Sequence, residues 1–288
     1  MIYNWRNCEV RFMSEQGEVG ALKNSIYVDK VYSGIAELRR RTREPKESSV
    51  DLRLSELRVF SQNGEDGILI EILRNLETDN CYFVEFGVGD GWSCNTRILA
   101  EVLGWGGLYL EIDPDAFNDL DTRYRNCKRI STLCAEVTPK SINQLFESAE
   151  VPEKFGVLSI DIDGQDYWVW DALDTKFKPD VVITEVNLNF GLEKSVTERV
   201  GVNQYPLTET FGSSVRAMQE LGARKGYELV HIDIAGVNAF FVLREHLTSL
   251  SFVGLTDRSS NYGLRGRFHD LERLYQGNEI QPRATVEV

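Results

Sequence analysis

From Tyr82 onward, short apolar segments of β type follow one another, and segments of helical character separate most of them. Strands that alternate with helices predict parallel βαβ units, with helices on both faces of one sheet. The apolar runs are YFVEFG, GGLYLEID, RISTLCAEV, GVLSIDID, DVVITEVN, YELVHIDIAG and NAFFVLRE.

The last two runs are separated only by Gly236, Val237 and their immediate neighbours. So short a connection predicts an antiparallel hairpin rather than another crossover. The sequence therefore predicts an α/β chain with a doubly wound, mostly parallel, Rossmann-like sheet. Five crossover strands precede the terminal hairpin, whereas dinucleotide-binding folds usually stay parallel.

Three segments are expected along the 288 residues. Residues 1–57 form an N-terminal helical extension in which Gly34 and the EPKESS loop interrupt the helices. Residues 58–247 form the α/β domain, which begins with a helix from about Asp66 to Glu77. Residues 248–288 form a C-terminal extension, with one helix in RFHDLERLYQ and a loose tail. The N-terminal helices are expected either to cover a pocket or to form a homodimer.

Charge and composition exclude some classes of partner. A net charge of −13 argues against a nucleic-acid partner, since such proteins normally carry a basic surface. The five cysteines form an odd count without a CxxC pair, which favours reduced thiols in a reducing compartment. The chain shows neither a signal-peptide pattern nor an apolar stretch of membrane-spanning length, so we expect a soluble, cytoplasmic protein without a membrane partner.

The turn after the first strand of the sheet reads Glu85-Phe86-Gly87-Val88-Gly89-Asp90-Gly91. In a doubly wound sheet, ligands bind beyond the carboxyl ends of the strands, where the strand order reverses. The spacing is GxGxG and lacks the third glycine of a GxGxxG dinucleotide motif. The acids Glu85 and Asp90 favour a cationic ligand, such as an amino group or a sulfonium. A tight turn without a ligand is the structural alternative.

The end of the next strand supplies a second candidate, Glu111, which follows Gly91 by 20 positions. That is about the spacing expected for an acid that accepts hydrogen bonds from ribose hydroxyls. Asp113 competes for this role, but Pro114 turns the chain into the next helix and favours Glu111. At the third strand end, Ala135 and Glu136 occupy the place where an adenine edge could be read.

Acids also follow the fourth and fifth strands. Asp161 and Asp163 point to one side of their strand, and Glu185 and Asn187 do the same on the next. If these strands are neighbours, up to four oxygen ligands converge, which suits a hard divalent cation such as Mg²⁺. Such a cation would lower the pKa of a substrate hydroxyl.

Other roles stay open for the same acids. Asp161 or Asp163 could accept a hydroxyl proton directly as a general base. Asp161 could instead bind only one end of the ligand, or cap a helix. His231, at a strand end, could serve as a base or be a hydrogen-bonded edge residue.

Several longer stretches resemble the FkbM-like class I S-adenosylmethionine-dependent methyltransferases. The resemblance covers roughly Phe60 to Val242 and is strongest in the SQNGED element and in SCNT after the glycines. The matching segments are FSQNGEDGILIEIL, FVEFGVGDGWSCNTRILAE, GWGGLYLEIDPDAF and KGYELVHIDIAGVNAFFV. The first turn departs from the family's more usual D-V-G-A.

The resemblance implies a seven-stranded methyltransferase sheet with S-adenosylmethionine over the glycine turn. Gly87, Gly89 and Gly91 would lie against the cofactor, and Glu111 would hold its ribose. Further residues implied near the cofactor are Gln62, Glu65, Asp66, Asn95 and Thr96, the last two at the start of the first helix.

The expected activity is O-methylation of a hydroxyl on a small-molecule or glycan acceptor, either in secondary metabolism or in polysaccharide modification. The long connection from Asn187 to Pro206 is expected to set the choice of acceptor. Two alternatives stay open. One is a methyltransferase-fold binding protein without catalysis, and the other is a different nucleotide-binding α/β enzyme.

Overall fold

A computed structural model describes residues 18–76, 78–201, 211–254 and 285–288. Elements are numbered in chain order. The helices are α1 (Glu18–Arg41), α2 (Glu65–Asn75), α3 (Pro114–Tyr124), α4 (Ile142–Ser148), α5 (Asp166–Ala172) and α6 (Val215–Lys225). The strands are β1 (Ser49–Asp51), β2 (Tyr82–Phe86), β3 (Gly106–Glu111), β4 (Ile130–Cys134), β5 (Lys154–Ile160), β6 (Lys178–Glu185), β7 (Val196–Glu198), β8 (Tyr227–Ile232), β9 (Asn238–Leu243), β10 (Ser251–Val253) and β11 (Thr285–Glu287).

Seven of these strands form one sheet in the order β4-β3-β2-β5-β6-β9-β8. Strands β2 to β6 pair in parallel, and β9 runs antiparallel to both of its neighbours. From β2 the chain moves outward through β3 and β4, then returns to β5 on the other side of β2. The prediction of a doubly wound, mostly parallel, Rossmann-like sheet with a terminal antiparallel hairpin is therefore confirmed.

Helices cover both faces of the sheet because successive strand residues point to opposite sides. On β2, Phe83 belongs to an apolar core that includes residues of α1 and α2. Its neighbour Val84 belongs to a second core that includes residues of α4, α5 and α6. Both side chains are fully buried, and burial of this kind contributes about 1.5–3 kcal/mol per large apolar side chain.

Helix α1 is continuous through Gly34, so the expected interruption there is wrong. A Cβ at Gly34 would lie 2.7 Å from Val59 Cγ2, which shows that the glycine admits a close packing contact. Val31, Ile35 and Leu38, spaced at helical intervals, are buried in the same core as α2. The N-terminal helix is thus packed against the sheet domain.

Short strands tie both ends of the described chain to this domain. β1 pairs in parallel with β10, and β11 pairs antiparallel with β7 inside the long connection after β6. The sequence predicted no strand in the EPKESS loop, in the long connection or in the C-terminal extension, and these short strands occupy part of those segments. The predicted helix RFHDLERLYQ and residues 1–17 lie outside the described residues. Within the described ranges, every helix is too short or too polar to cross a membrane.

Candidate functional site

A pocket of about 200 Å³ lies at the carboxyl ends of β2 and β5, where the strand order reverses. Ligands bind at this position in open α/β sheets. The lining combines the glycine turn and the segment after it with residues at the start of α2, after β5 and at the start of β9. It consists of Gln62, Glu65, Glu85, Gly87, Val88, Gly89, Asp90, Ser93, Cys94, Asn95, Asp161 and Asn238.

The three glycines of the turn have positive φ values of +68°, +56° and +74°. At Gly87 a Cβ would lie 1.8 Å from the Asp161 carbonyl oxygen, so the backbones of β2 and β5 meet there. At Gly91 it would lie 2.8 Å from Leu120. Apart from its two neighbours in the chain, no described residue has a heavy atom within 4 Å of a Cβ at Gly89, which therefore faces open pocket space.

Glu85 lines the pocket, but its carboxylate binds the chain itself. Its oxygens accept hydrogen bonds from the backbone N–H groups of Asn95 and Thr96, at 2.8 and 2.9 Å, and from the hydroxyls of Thr96 and Ser159. Burial raises the pKa of Glu85, although these hydrogen bonds act in the opposite direction. The acid thus holds the segment after the glycine turn, which leads into a π-helix at Leu99–Leu103.

Glu111, at the end of β3, is joined directly to the glycine turn. Its Oε2 accepts a hydrogen bond of 2.6 Å from the backbone N–H of Gly89, and its Oε1 accepts from the N–H groups of Ile112 and Asp113. Asp113 has a different task, since its side chain caps α3 by accepting from the N–H groups at 115 and 116. The two competing acids therefore have separate environments, and Glu111 is the one next to the pocket.

Two acids at the start of α2 also have separate roles. Glu65 lines the pocket and accepts hydrogen bonds from the backbone of Asn63 and Gly64 and from the amides of Asn63 and Asn238. Asp66, expected near the cofactor, is not part of the lining. Its Oδ2 accepts three backbone N–H groups and one hydroxyl from residues 59–61. Burial raises the pKa of Asp66 to about 6.

Asn238 lines the pocket and was not predicted. It is the first residue of β9 and lies opposite Glu185 of β6 in the sheet register. Its Nδ2 donates to Glu65 Oε1 at 2.9 Å. The one signal in the sequence is a polar residue that opens the apolar run NAFFVL directly after a hairpin.

The acids at the carboxyl ends of β5 and β6 lie close together, because the two strands are neighbours. Carboxylate oxygens of Asp161, Asp163 and Glu185 all lie within 4.8 Å of one another. Asn187, the fourth expected ligand, instead caps a short 3₁₀ helix with its Oδ1 and donates its Nδ2 to the Phe211 carbonyl oxygen.

The turn that carries two of these acids is held by Asp166. Asp163 has φ +55°, a left-handed conformation that is unfavourable for a residue with a side chain. The carboxylate of Asp166 accepts hydrogen bonds from the N–H groups of Ile162 and Gly164, the two residues that flank Asp163 in the chain. Burial and the nearby charge of Asp161 raise the pKa of Asp166 to about 7.

The remaining predicted residues lie outside the pocket lining. Ala135 and Glu136 follow β4, where the N–H of Ala135 donates to the Glu111 carbonyl oxygen. His231 is fully buried on β8, with its Nε2 3.5 Å from a carboxylate oxygen of Glu56. His231 therefore lies inside the protein rather than at the pocket surface.

No family model matches the sequence, and a comparison with curated proteins also finds no match. Solved structures similar to this chain include fibrillarin from Aeropyrum pernix, described in complex with S-adenosyl-L-methionine. It is 11% identical, with a TM-score of 0.41 over 59% of this chain and 72% of that chain. Fibrillarin from Methanococcus jannaschii is 13% identical, with a TM-score of 0.41 over 62% and 73%. Mitomycin 7-O-methyltransferase is 16% identical, with a TM-score of 0.36 over 56% and 48%.

Proposed function

We propose that this chain is an S-adenosylmethionine-dependent methyltransferase that methylates a hydroxyl group of a sugar or secondary metabolite. The observation that carries the proposal is the link between Glu111 and Gly89. A ribose-type acid at the end of β3 is hydrogen-bonded to a glycine that faces open pocket space. The pocket lies at the reversal of strand order, as a nucleoside-binding site in such a sheet should.

The residues present suit the cofactor in three respects. A carboxylate offers about four lone-pair sites, and Glu111 uses three of them on backbone N–H groups. Because Gly89 has no side chain, a ligand can approach the turn closely. Glu65 and Asp161 line the same pocket and favour a sulfonium and an ammonium group over a pyrophosphate.

When bound, S-adenosylmethionine would supply a methyl group whose carbon the acceptor oxygen attacks in line, while the C–S bond breaks and neutral S-adenosylhomocysteine leaves. The protein's residues hold the acceptor oxygen in line with that bond and remove its proton. In this proposal Asp161 or Asp163 takes the proton, since both lie in the turn after β5, at the pocket end of the sheet. A Mg²⁺ ion held by Asp161, Asp163 and Glu185 would lower the pKa of the acceptor hydroxyl instead.

The first test is a calorimetric titration of S-adenosylmethionine and S-adenosylhomocysteine into the protein, with and without Mg²⁺. Glu111→Ala is expected to weaken binding about 10- to 100-fold, because the one acceptor site of Glu111 left for a ribose hydroxyl would make a single charge-assisted hydrogen bond worth about 1.5–3 kcal/mol. Asp113→Ala is the matched control. It removes a helix cap at a cost of about 1 kcal/mol in stability and should leave cofactor affinity unchanged.

Absence of binding by the unaltered protein, with or without Mg²⁺, would overturn the proposal. Transfer of a labelled methyl group to pools of sugars and hydroxylated metabolites then tests catalysis, with a chelator to test the cation. Cofactor binding without transfer to any pool would favour a binding protein that retains the fold.

A further inference from the structure

Asn238 belongs to the pocket lining and carries a buried hydrogen-bond acceptor. The residue is only 3% exposed, and among the described residues no donor reaches its Oδ1. Since Nδ2 is committed to the Glu65 carboxylate, the amide cannot turn to exchange its two ends. A buried acceptor without a partner costs about 1–3 kcal/mol, so its place in a pocket lining points to a donor on the ligand.

The surroundings of Asn238 are negatively charged. Glu65 and Asp161 line the pocket beside it, and Glu185 lies opposite in the sheet register. Burial alone would raise the pKa of Glu65, but its hydrogen bonds from the backbone and from Asn238 bring the net pKa below the usual value. Glu65 is therefore ionised at neutral pH, and the donor that suits this end of the pocket is a cation.

Sheet order determines which end of the cofactor reaches Asn238. Glu111 lies on β3, on one side of β2, whereas Asp161 and Asn238 belong to the β5, β6 and β9 side. A ligand whose ribose is held at Glu111 and which crosses the glycine turn therefore extends toward Asp161, Glu65 and Asn238. In S-adenosylmethionine the part beyond the ribose and sulfur is an α-amino acid, whose cationic donor is the ammonium group.

We propose that Asn238 Oδ1, oriented by Glu65, accepts a hydrogen bond from the α-ammonium group of the bound cofactor. This rests on the proposed function and adds a contact from the antiparallel strand β9 to the site. Asn238 is thus a ligand-binding residue that selects for an amino-acid end on the nucleoside.

The test is a cycle of two proteins and two ligands, measured by calorimetry. The ligands are S-adenosylhomocysteine and its analogue in which hydrogen replaces the α-ammonium group. The unaltered protein is expected to bind S-adenosylhomocysteine about 10- to 100-fold more tightly than the analogue. Asn238→Ala should lose most of that preference by weakening S-adenosylhomocysteine alone, with little change for the analogue.

Two controls report on folding. 5′-Methylthioadenosine lacks the amino-acid end and should bind the unaltered protein and Asn238→Ala equally. Asn75→Ala is a matched variant, because Asn75 is also buried, donates its Nδ2 to Glu71, and has an Oδ1 without a described partner, away from the pocket lining. It should leave all three affinities unchanged.

The proposal is overturned if Asn238→Ala weakens both members of the ligand pair equally, or if the unaltered protein does not distinguish them. Loss of 5′-methylthioadenosine binding in Asn238→Ala would also count against it, since the effect would then lie outside the amino-acid end. If the unaltered protein binds none of the three ligands, the proposed function itself fails, which is a separate result.

Discussion

At the scale of single residues, the three glycines of the turn have similar φ values and different neighbours. Gly87 makes room for the Asp161 carbonyl oxygen and Gly91 for Leu120, so both serve packing within the protein. Gly89 has no described neighbour at its Cβ position and faces the pocket. A side chain at Gly89 should therefore impair binding far more than folding.

Gly89→Ala is expected to reduce the free energy of unfolding by about 1–2 kcal/mol, the cost of a left-handed conformation for a residue with a Cβ. It should also weaken S-adenosylhomocysteine binding at least about 10-fold, since the methyl group enters the pocket. Urea denaturation and calorimetry measure the two effects separately.

Gly226→Ala is the control for that experiment. Gly226 ends α6 with φ +92° and likewise has no described atom near its Cβ position. The two variants should lose similar stability, and only Gly89→Ala should lose affinity. Equal affinities in both variants would show that Gly89 is a turn residue and that no ligand approaches it.

At the scale of elements, a cluster around Asp180 joins three segments at the amino ends of the parallel strands, opposite the pocket. Asp180, near the start of β6, accepts hydrogen bonds from Thr78 Oγ1 at 2.5 Å and Asn80 Nδ2 at 3.1 Å. Its other oxygen lies 2.9 Å from His246 Nε2, just beyond β9. The hydrogen bond to Asp180 raises the pKa of His246, against the effect of burial.

This raised pKa predicts pH-dependent stability. The folded state holds the proton of His246 more tightly than the unfolded state, whose pKa is about 6.5. The contribution of protonated His246 to the free energy of unfolding is therefore complete when the pH is below the unfolded-state pKa. It is lost as the pH rises through the higher pKa of the folded state. His246→Gln, which keeps a donor without the charge, should cost about 0.5–1 kcal/mol more in acid than in base, as for a partly exposed ion pair.

Urea denaturation of both proteins at about pH 5.5 and pH 9 checks this effect. A difference in unfolding free energy that is the same at both values would contradict the assignment. Cofactor affinity serves as an internal control, because the cluster lies at the opposite strand ends from the pocket.

The length of each strand also determines whether the strand could be predicted from the sequence. Strands of five to eight residues that alternate with helices carry their own apolar pattern, so the main sheet and its hairpin were predictable. The three-residue strands β1, β7, β10 and β11 carry no such pattern. Their pairing depends on partners distant in the chain, as with β1 and β10.

The same distinction applies to the candidate site. Glu85, Gly89 and Glu111 lie at strand ends in a spacing that local reasoning can use. Asn238 could not be found this way, since its place in the pocket depends on the pairing of β9 with β6 and on contact with α2. Gly34 was misread because its reason, contact with Val59, is also tertiary.

At the scale of the whole molecule, the N-terminal helix α1 shares an apolar core with the sheet domain. Val31, Ile35 and Leu38 of α1 lie in the same cluster as residues of α2 and of the sheet strand β2. β10, from the other end of the described chain, pairs with β1 next to them. This packing predicts that α1 unfolds together with the sheet rather than as a separate extension.

Leu38→Ala tests that prediction. Leu38 is 1% exposed, and truncation of such a buried leucine costs about 2–5 kcal/mol. If α1 belongs to one cooperative unit, the full loss should appear both in far-UV circular dichroism and in the fluorescence of the buried Trp105 and Trp170, with coincident transitions. Ser33→Ala, on the exposed face of the same helix, should stay within about 0.5 kcal/mol of the unaltered protein. An early loss of helical signal with an unchanged fluorescence midpoint would instead mean that α1 unfolds independently, as an N-terminal extension bounded at residue 57 would.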